Sequence, residues 1–402
     1  MNRCFGFYLV GLIGLMCCRG MAEVTPVPDD PGISDTSKTD LNLTANSEEV
    51  GEITLKVQAE VTKLAQNPSD PATVTMIRQW LIGEMQSKNN PGGTSPAYQE
   101  AYAAALNAAF MDALGHPSTP VNTRLNIGIV IKLLPGRTEK LAPSVVQLLK
   151  DKSSAVVLWG ERAAAAILPA GVQDAAFNAG PRDEILAAII ESVVTHPDGP
   201  ISGMLADEAN QAINPELNEW PRGRPPTPTV LSALIDASLK LQKGRLEIYR
   251  KTGVPGAPIA DTYATYLTMG TPNVWNSMTP TQQLQAAQQA LDFVSLASER
   301  AVGRQNNQND DLIQALKEEG RWIMELGTTL SDQAITAAGS GVNNLGIAAP
   351  AQQVRDACSA VLPAFQGNQA LSGIQATLPI EGSKSSPDVA VPAPPTASDA
   401  QQ

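Results

Sequence analysis

Apolar side chains along this chain recur at the three- and four-residue steps of an α-helix. After Ser154 the stretch AVVLWGERAAAAIL places Val156, Trp159, Ala163 and Ile167 on one stripe, the spacing of an amphipathic helix. No stretch of alternating β-branched residues, the pattern of a strand, stands out, so we expect almost no sheet and predict an all-α protein. Comparable patterns occur at 121–134, 201–213, 230–253, 279–303, 310–330 and about 350–362.

Local sequence also predicts where one of these helices ends and where another begins. Gly253 follows the 230–253 pattern and is a plausible C-terminal stop, because glycine adopts the left-handed conformation that often ends a helix. Thr279, Pro280 and Gln282 form the sequence of a capping box with proline in the first turn. We therefore expect a helix from Pro280 onward.

Four short stretches interrupt the helical pattern and predict helix–turn–helix corners. Their starts are 49, 35 and 45 residues apart, at Asn67, His116, Asp151 and His196, a spacing that suits two-helix repeats. In three of them a proline directly follows the first residue and ends the preceding helix, and a second proline begins the next one. The expected N-cap residues of the second helices are Asp70, Thr119, Ser154 and Gly199.

The only two histidines, His116 and His196, occupy the same corner position. Asn67 and Asp151 stand at that position in the other corners, and all these residue types can hydrogen-bond the local backbone. A catalytic or metal-binding histidine would not be expected to recur in step with a repeat and be replaced by asparagine. We interpret both histidines as structural, and we predict no catalytic residue, no metal ligand and no cofactor.

The third corner and its flanking helices resemble a HEAT or armadillo-type helical repeat. The stretch VVQLLKDKSSAVVLWGERAAAAIL combines two helical patterns, a Lys150–Asp151 corner and the small-residue face Ala163–Ala166. It departs from those repeats early in the second helix, where aliphatic residues replace the usual basic residue. The resemblance covers about residues 50–216. It implies an α-solenoid whose relatives mostly bind proteins, and it implies no reaction.

Composition suggests how the chain is divided. The N-terminus has a basic start, an apolar run and small residues before Glu23, the pattern of a cleavable export signal. We expect an exported protein, periplasmic or extracellular, with lipid anchoring at Cys18 as the weaker alternative. The expected stretches are a signal peptide (1–22), a disordered linker (23–48), HEAT-like repeats (49–216), a Pro-rich connection (217–229), a second helical region forming a bundle or further irregular repeats (230–365) and a disordered Pro/Ala-rich tail (366–402).

Charge and cysteine content narrow the range of partners and sites. The net charge of −12 argues against nucleic acid, which requires basic patches. Beyond the leader no apolar segment approaches about 18 residues, so we do not expect an integral membrane protein after cleavage. Three of the four cysteines lie in the leader, and we expect Cys358 to be a buried small hydrophobe in a helix.

Three remaining motifs receive the following interpretations. Trp220, Arg222 and Arg224 break the acidic background with residue types that are enriched in binding hot spots, and form a candidate interaction surface. The alternative is that Trp220 fills the join between the two halves. The loop-like sequence GSGVNNLG at 339–346 lacks phosphate-loop spacing, and we expect a flexible connection. The following acids are expected to face solvent: Asp207, Glu208, Glu318 and Glu319.

These observations favour a non-catalytic, exported helical-repeat scaffold that binds another protein. Two alternatives stay open: a secreted all-α enzyme that acts on polysaccharide with a helical-toroid fold, and an envelope structural protein. Aromatic residues make up 4% of the chain, few for a cleft that stacks sugars. Two carboxylates facing each other across an aromatic-lined groove would support the enzyme.

Overall fold

The computed structural model describes residues 32–44, 47–86, 93–135, 139–173, 179–196, 202–213, 228–253, 258–303 and 310–381. Over these residues the protein is all-α, without a strand, as the apolar pattern predicts. Two 3₁₀ turns, Glu139–Leu141 and Gln369–Leu371, accompany the α-helices. The α-helices are α1 Asp35–Thr39, α2 Glu48–Gln66, α3 Pro71–Gly83, α4 Pro96–Gly115, α5 Val121–Leu133, α6 Ala142–Leu149, α7 Ser154–Gln173, α8 Ala179–Thr195, α9 Ser202–Ile213, α10 Pro228–Thr252, α11 Pro258–Thr268, α12 Pro272–Ser277, α13 Pro280–Gly303, α14 Asp310–Thr329, α15 Gln333–Asn343, α16 Ala351–Ser359 and α17 Val361–Gly367.

From α2 onward the longer helices lie in two rows, and each helix contacts its neighbours in its own row. The first row consists of α2, α4, α6, α8, α10, α13 and α16. The second row consists of α3, α5, α7, α9, α11, α14 and α15. Helices that follow each other along the chain also contact each other across the rows, including α2 with α3 and α6 with α7. The row order continues from α9 through α11 and from α8 through α10, so the second helical region extends the arrangement of the first.

The long helix α10 belongs to two apolar cores at once. Leu234 and Leu241 on one side of α10 pack into the core formed by the preceding helices. Leu239 and Tyr249 on another side pack into the core formed by the following helices. Residues that are three, four or seven positions apart share a helix face, so one helix can present an apolar face to each core.

At three of the four corners, the side chain of the first residue interacts with the local backbone as predicted. The Asn67 side-chain amide donates to the Lys63 carbonyl at 2.9 Å, and the Asp151 carboxylate accepts from the Ser153 N–H at 2.8 Å. The His196 Nδ1 lies 2.9 Å from the Ser192 carbonyl oxygen. His116 differs, because its Nε2 lies 3.6 Å from Asp112 and its side chain is 66% exposed.

The cap predictions are right at Asp70 and wrong at two of the other corners. Asp70 accepts a hydrogen bond from the Ala72 N–H, and α3 begins at Pro71. Thr119 does not cap α5, because the extended Pro120 precedes the helix and the Thr119 hydroxyl donates back to the Ala113 carbonyl at 2.5 Å. Ser154 is the first helical residue of α7 and not its cap. Gly199 lies outside the described residues.

The glycine-rich stretch 339–346 is not the expected flexible connection, since α15 extends through its first five residues to Asn343. The cause is close packing of α15 against α14. A Cβ added at Gly339 would lie 2.7 Å from the Gly320 carbonyl oxygen, and one at Gly327 would lie 2.9 Å from the Thr336 Cα. The glycines therefore allow the backbones of α14 and α15 to approach closely. This contact holds residues 339–343 in helix α15.

Both stretches expected to be disordered contain ordered parts. Within 23–48, Ser34 caps the short helix α1, and Lys38 forms an ion pair with Glu84 at 2.9 Å that is largely buried. Within 366–402, α17 ends at Gly367, and residues in the range 374–381 hydrogen-bond α13 and α10 of the first row. These contacts join distant parts of the chain, which composition does not reveal.

Candidate interaction surface

The residues proposed from the sequence as an interaction surface, Trp220, Arg222 and Arg224, lie outside the described residues. Within the described part of the chain, no group of three or more His, Cys, Asp or Glu side chains could hold a metal ion. No helix of the described residues has the length and apolar character needed to cross a membrane. Cys358 is buried in α16 as expected, and burial raises the pKa of its thiol to about 12.

A different surface stands out in the second row, where partly exposed aromatic and charged side chains follow one another across four successive helices. We call it the aromatic–charged strip. It begins on α7, crosses α9 and α11 and ends on α14. Its members, ordered by their contacts and electrostatic interactions, are Trp159, Arg162, Glu208, Asp207, Tyr263, Tyr266, Trp322 and Arg321.

The α7 end of the strip is held by an arginine with two partners. The Arg162 guanidinium carbon lies 4.9 Å from the ring centre of Trp159, within the range of a cation–π contact. The Arg162 Nε donates to Glu208 Oε1 at 2.7 Å, which links α7 to α9. Trp159 and Arg162 meet because they are three residues apart on one helix.

The other end of the strip is aromatic. The rings of Tyr263 and Tyr266 lie edge to face with their centres 6.0 Å apart, and Tyr266 lies 4.7 Å from Trp322 on α14. The Arg321 guanidinium carbon lies 4.6 Å from the Trp322 ring centre. Gly270 makes room for this cluster, because a Cβ there would lie 2.6 Å from Trp322 Cε3.

Asp207 connects the two ends electrostatically. Burial, followed by the charges of Glu208 and Asp261, raises the pKa of Asp207 to about 6. The charge of Asp207, after the larger effect of burial, in turn raises the pKa of the Tyr263 hydroxyl. The strip therefore carries an acidic centre between two arginine–tryptophan pairs.

A chain of buried polar groups lies near the strip and ties α10, α11 and α14 together. The Thr265 hydroxyl donates to Glu319 Oε1 at 2.8 Å, and the Gln242 side-chain amide donates to Thr265 Oγ1 at 2.8 Å. One turn away, Arg245 binds Asp261 through two hydrogen bonds of 2.7 and 3.1 Å. Because they are paired with each other, the Arg245 and Asp261 charges can be accommodated away from water.

The expectation that Glu319 faces solvent is wrong, since it is fully buried. Glu161 on α7 is also fully buried and accepts a hydrogen bond from the Ser192 hydroxyl at 3.1 Å. Burial raises the pKa of both carboxyl groups well above the ordinary value. Asp207, Glu208 and Glu318 are all partly exposed, so each of these three side chains reaches solvent in part.

Sequence reasoning missed the strip, although each end has a local signal. The tyrosines are three residues apart on a helix, as are Trp159 and Arg162. What the sequence could not give is the order α7, α9, α11, α14, which brings the two ends onto one surface.

Comparison with known proteins leaves the structure as the source of functional information. No protein-family model, no curated protein and no solved structure matches this chain.

Proposed function

We propose that this protein is a non-catalytic helical-repeat scaffold that binds another protein through the aromatic–charged strip. The observation that carries the proposal is the continuity of the strip over four helices. Trp, Tyr and Arg are the residue types that contribute most to protein–protein binding energy. Here three aromatic side chains, Tyr263, Tyr266 and Trp322, contact one another at a partly exposed site next to Arg321.

The two-row order of the helices supports a HEAT or armadillo-like α-solenoid as the architecture of this scaffold. In a solenoid each repeat contacts its neighbours, and successive equivalent helices form an extended binding surface. The strip has this property, because every member lies on a helix of the second row. Trp220, Arg222 and Arg224 follow α9 in the sequence and remain a predicted second contact for the same partner.

We further propose that the protein acts outside the cytoplasm, in the periplasm or extracellular space. The support is the export-signal pattern of residues 1–22, with its basic start, apolar run and small residues before Glu23. The partner would then be an exported or envelope protein.

The arrangement of carboxylates supports binding over polysaccharide hydrolysis. Glycoside hydrolysis needs two carboxyl groups on opposite sides of the scissile bond. Asp207 and Glu208 are consecutive residues of one helix, and Glu208 is paired with Arg162. Asp261, on the neighbouring helix, is buried and paired with Arg245.

The test is capture of partners from the envelope fraction of the native host, with crosslinking and quantitative mass spectrometry. The bait is the mature chain with or without the double substitution Tyr266→Ala/Trp322→Ala. Loss of two hot-spot side chains at about 2 kcal/mol or more each should reduce capture at least tenfold. The control variant is Leu55→Ala, which removes a side chain that is 70% exposed on the first row and should leave capture unchanged.

A second variant guards against unfolding of the double mutant. Arg321 is exposed, with 54% of its side chain accessible, so Arg321→Glu should preserve the fold, as checked by circular dichroism, and still reduce capture. Partners that are captured equally by the wild type and by both strip variants would contradict the proposal.

A further inference from the structure

The segment that follows the last helices is seated on the first row although it has neither helix nor strand. We call residues 374–381 the C-terminal arm. It crosses α13 and reaches the end of α10, where the Glu381 N–H donates to the Arg250 carbonyl at 2.8 Å. An extended segment of the chain thus lies in a groove formed by helices of the array.

Every third residue of this segment faces the helices. Within the arm, Ile374 is buried, Thr377 and Ile380 are partly buried, and the residues between these three are exposed. A three-residue period is that of an extended polyproline II strand. The groove therefore selects one side of an extended peptide.

Helix side chains bind the backbone of the arm. The Gln288 side-chain amide donates to the Gln375 carbonyl at 3.0 Å, and its oxygen accepts from the Gln375 N–H at 2.9 Å. The Gln366 amide donates to the Ile374 carbonyl at 3.0 Å. These hydrogen bonds satisfy peptide groups and leave the Gln375 side chain exposed, so any residue with a backbone N–H, and therefore any residue except proline, can make them at 375.

Other contacts depend on the side chains of the arm. The Thr377 hydroxyl donates to Asp292 Oδ1 at 2.7 Å, and Ile380 packs against the second core. The Glu381 carboxylate lies 3.1 Å from Arg250 Nη2. The pattern that the groove accepts is a hydroxyl residue followed three and four positions later by an aliphatic and an acidic residue.

The arm does not fill the groove. A cavity of about 330 Å³ remains between the arm and helices α10 and α13, next to Ala376 and Gln289. Gln289 is only 4% exposed, and its Oε1 has no hydrogen-bond partner among the described residues. The contact between arm and groove is therefore less complete than the helix packing around it.

We propose that this groove is a binding site for an extended peptide, occupied in cis by the C-terminal arm, and that a separate peptide with the arm's pattern binds there when the arm is displaced. A tethered segment has an effective concentration in the millimolar range, so the arm excludes free peptide in the wild-type protein. The groove lies on the first row, and its existence does not depend on a partner of the aromatic–charged strip.

The experiment uses the full-length chain with the arm weakened by Gln375→Pro/Ile380→Asp. The proline lacks the N–H that Gln288 accepts from, and the aspartate loses the apolar contact, whereas Gln288, Asp292 and Arg250 are unchanged. A fluorescein-labelled peptide with the sequence of residues 374–381 and blocked termini is titrated with each protein, and binding is followed by fluorescence anisotropy. We expect the arm-weakened chain to bind at least tenfold more tightly than the wild type.

Two controls define specific binding. A scrambled peptide should not bind, and adding Gln288→Leu to the arm-weakened chain should abolish binding of the correct peptide. If the double substitution alters the circular dichroism spectrum, Thr377→Val replaces it, since it removes one hydrogen bond at a partly exposed site. The proposal is overturned by equal affinity for the wild-type and arm-weakened chains, by binding that survives Gln288→Leu, or by no binding at millimolar protein.

Discussion

At the scale of single residues, the buried carboxyl groups are the least expected feature. Glu319 lies three residues after Leu316 and four before Ile323, so it occupies the apolar face of α14. Glu161 lies four residues after Val157 and three before Ala164, and so occupies the apolar face of α7. The three-and-four spacing that predicts burial for leucine applies equally to an acid in the same position, and that spacing is the signal in the sequence that could have located both.

The buried Glu319 should make stability fall as the pH rises. Burial raises its pKa in the folded state above the unfolded value, chiefly by desolvation and also through the charge of Asp261. The native state then binds more protons, and above the unfolded pKa each pH unit costs about 1.4 kcal/mol until the folded pKa is reached. We expect Glu319→Gln to reduce this slope, measured by urea unfolding from pH 4 to pH 9.

The neighbouring Glu318 supplies the control for that measurement. It is partly exposed, and Glu318→Gln should leave the pH dependence as it is in the wild type. A wild-type free energy of unfolding that does not decrease with pH relative to Glu319→Gln would show that Glu319 is not a buried, protonated group.

At the scale of helices, the pairing of α14 with α15 depends on glycine. Gly320, Gly327 and Gly339 lie where the two backbones approach, and a Cβ at any of them would contact the partner helix at less than van der Waals distance. Gly341 lies on the same helix as Gly339 and is exposed, with no atom within 4 Å of an added Cβ. The two glycines are alike in sequence and opposite in environment.

Alanine substitution should therefore have opposite effects at these two positions. A Cβ at Gly339 would lie 2.8 Å from the Met324 Cα, and backbone atoms cannot move aside cheaply, so Gly339→Ala should destabilise the protein by about 1–3 kcal/mol. Gly341→Ala should stabilise it by about 0.5–1 kcal/mol, because alanine has the better helix propensity. Chemical denaturation of both variants is the measurement, and equal effects would refute the close packing of α14 on α15.

At the scale of the whole molecule, α10 couples the two cores. Its Leu234 and Leu241 faces belong to the first core and its Leu239 and Tyr249 faces to the second. Unfolding of either core removes the packing of one face of this helix. We therefore expect the two cores to unfold as one cooperative unit.

A cavity in the first core tests this coupling. Phe110 on α4 is fully buried in that core, and Phe110→Ala should cost about 3–5 kcal/mol. In a single cooperative unit, the slowest amides of α14 in the second core should then exchange on the order of a hundredfold faster or more. Hydrogen exchange read by mass spectrometry measures this, with Leu55→Ala as the exposed control. Unchanged exchange in α14 would show that the cores unfold independently.

Many of the helices, and several of their ends, can be identified from local sequence. The capping box forms as predicted, with the Thr279 N–H donating to Gln282 at 2.9 Å. Gly253 adopts a φ of 66° directly after α10, and Cys358 is buried in a helix. These features depend on residues within one or two helical turns of each other, so they can be identified in a single stretch of sequence.

Which helices are neighbours, and what lies on their shared surfaces, depends on contacts between distant parts of the chain. Tyr266 and Trp322 meet on adjacent helices of the second row, and Gln288 binds a peptide group 87 residues later in the chain. The same amphipathic pattern is compatible with many pairings, because burial of apolar area is non-directional. The strip and the arm groove therefore depend on the order of the helices in the two rows. That order is set by packing over the whole chain.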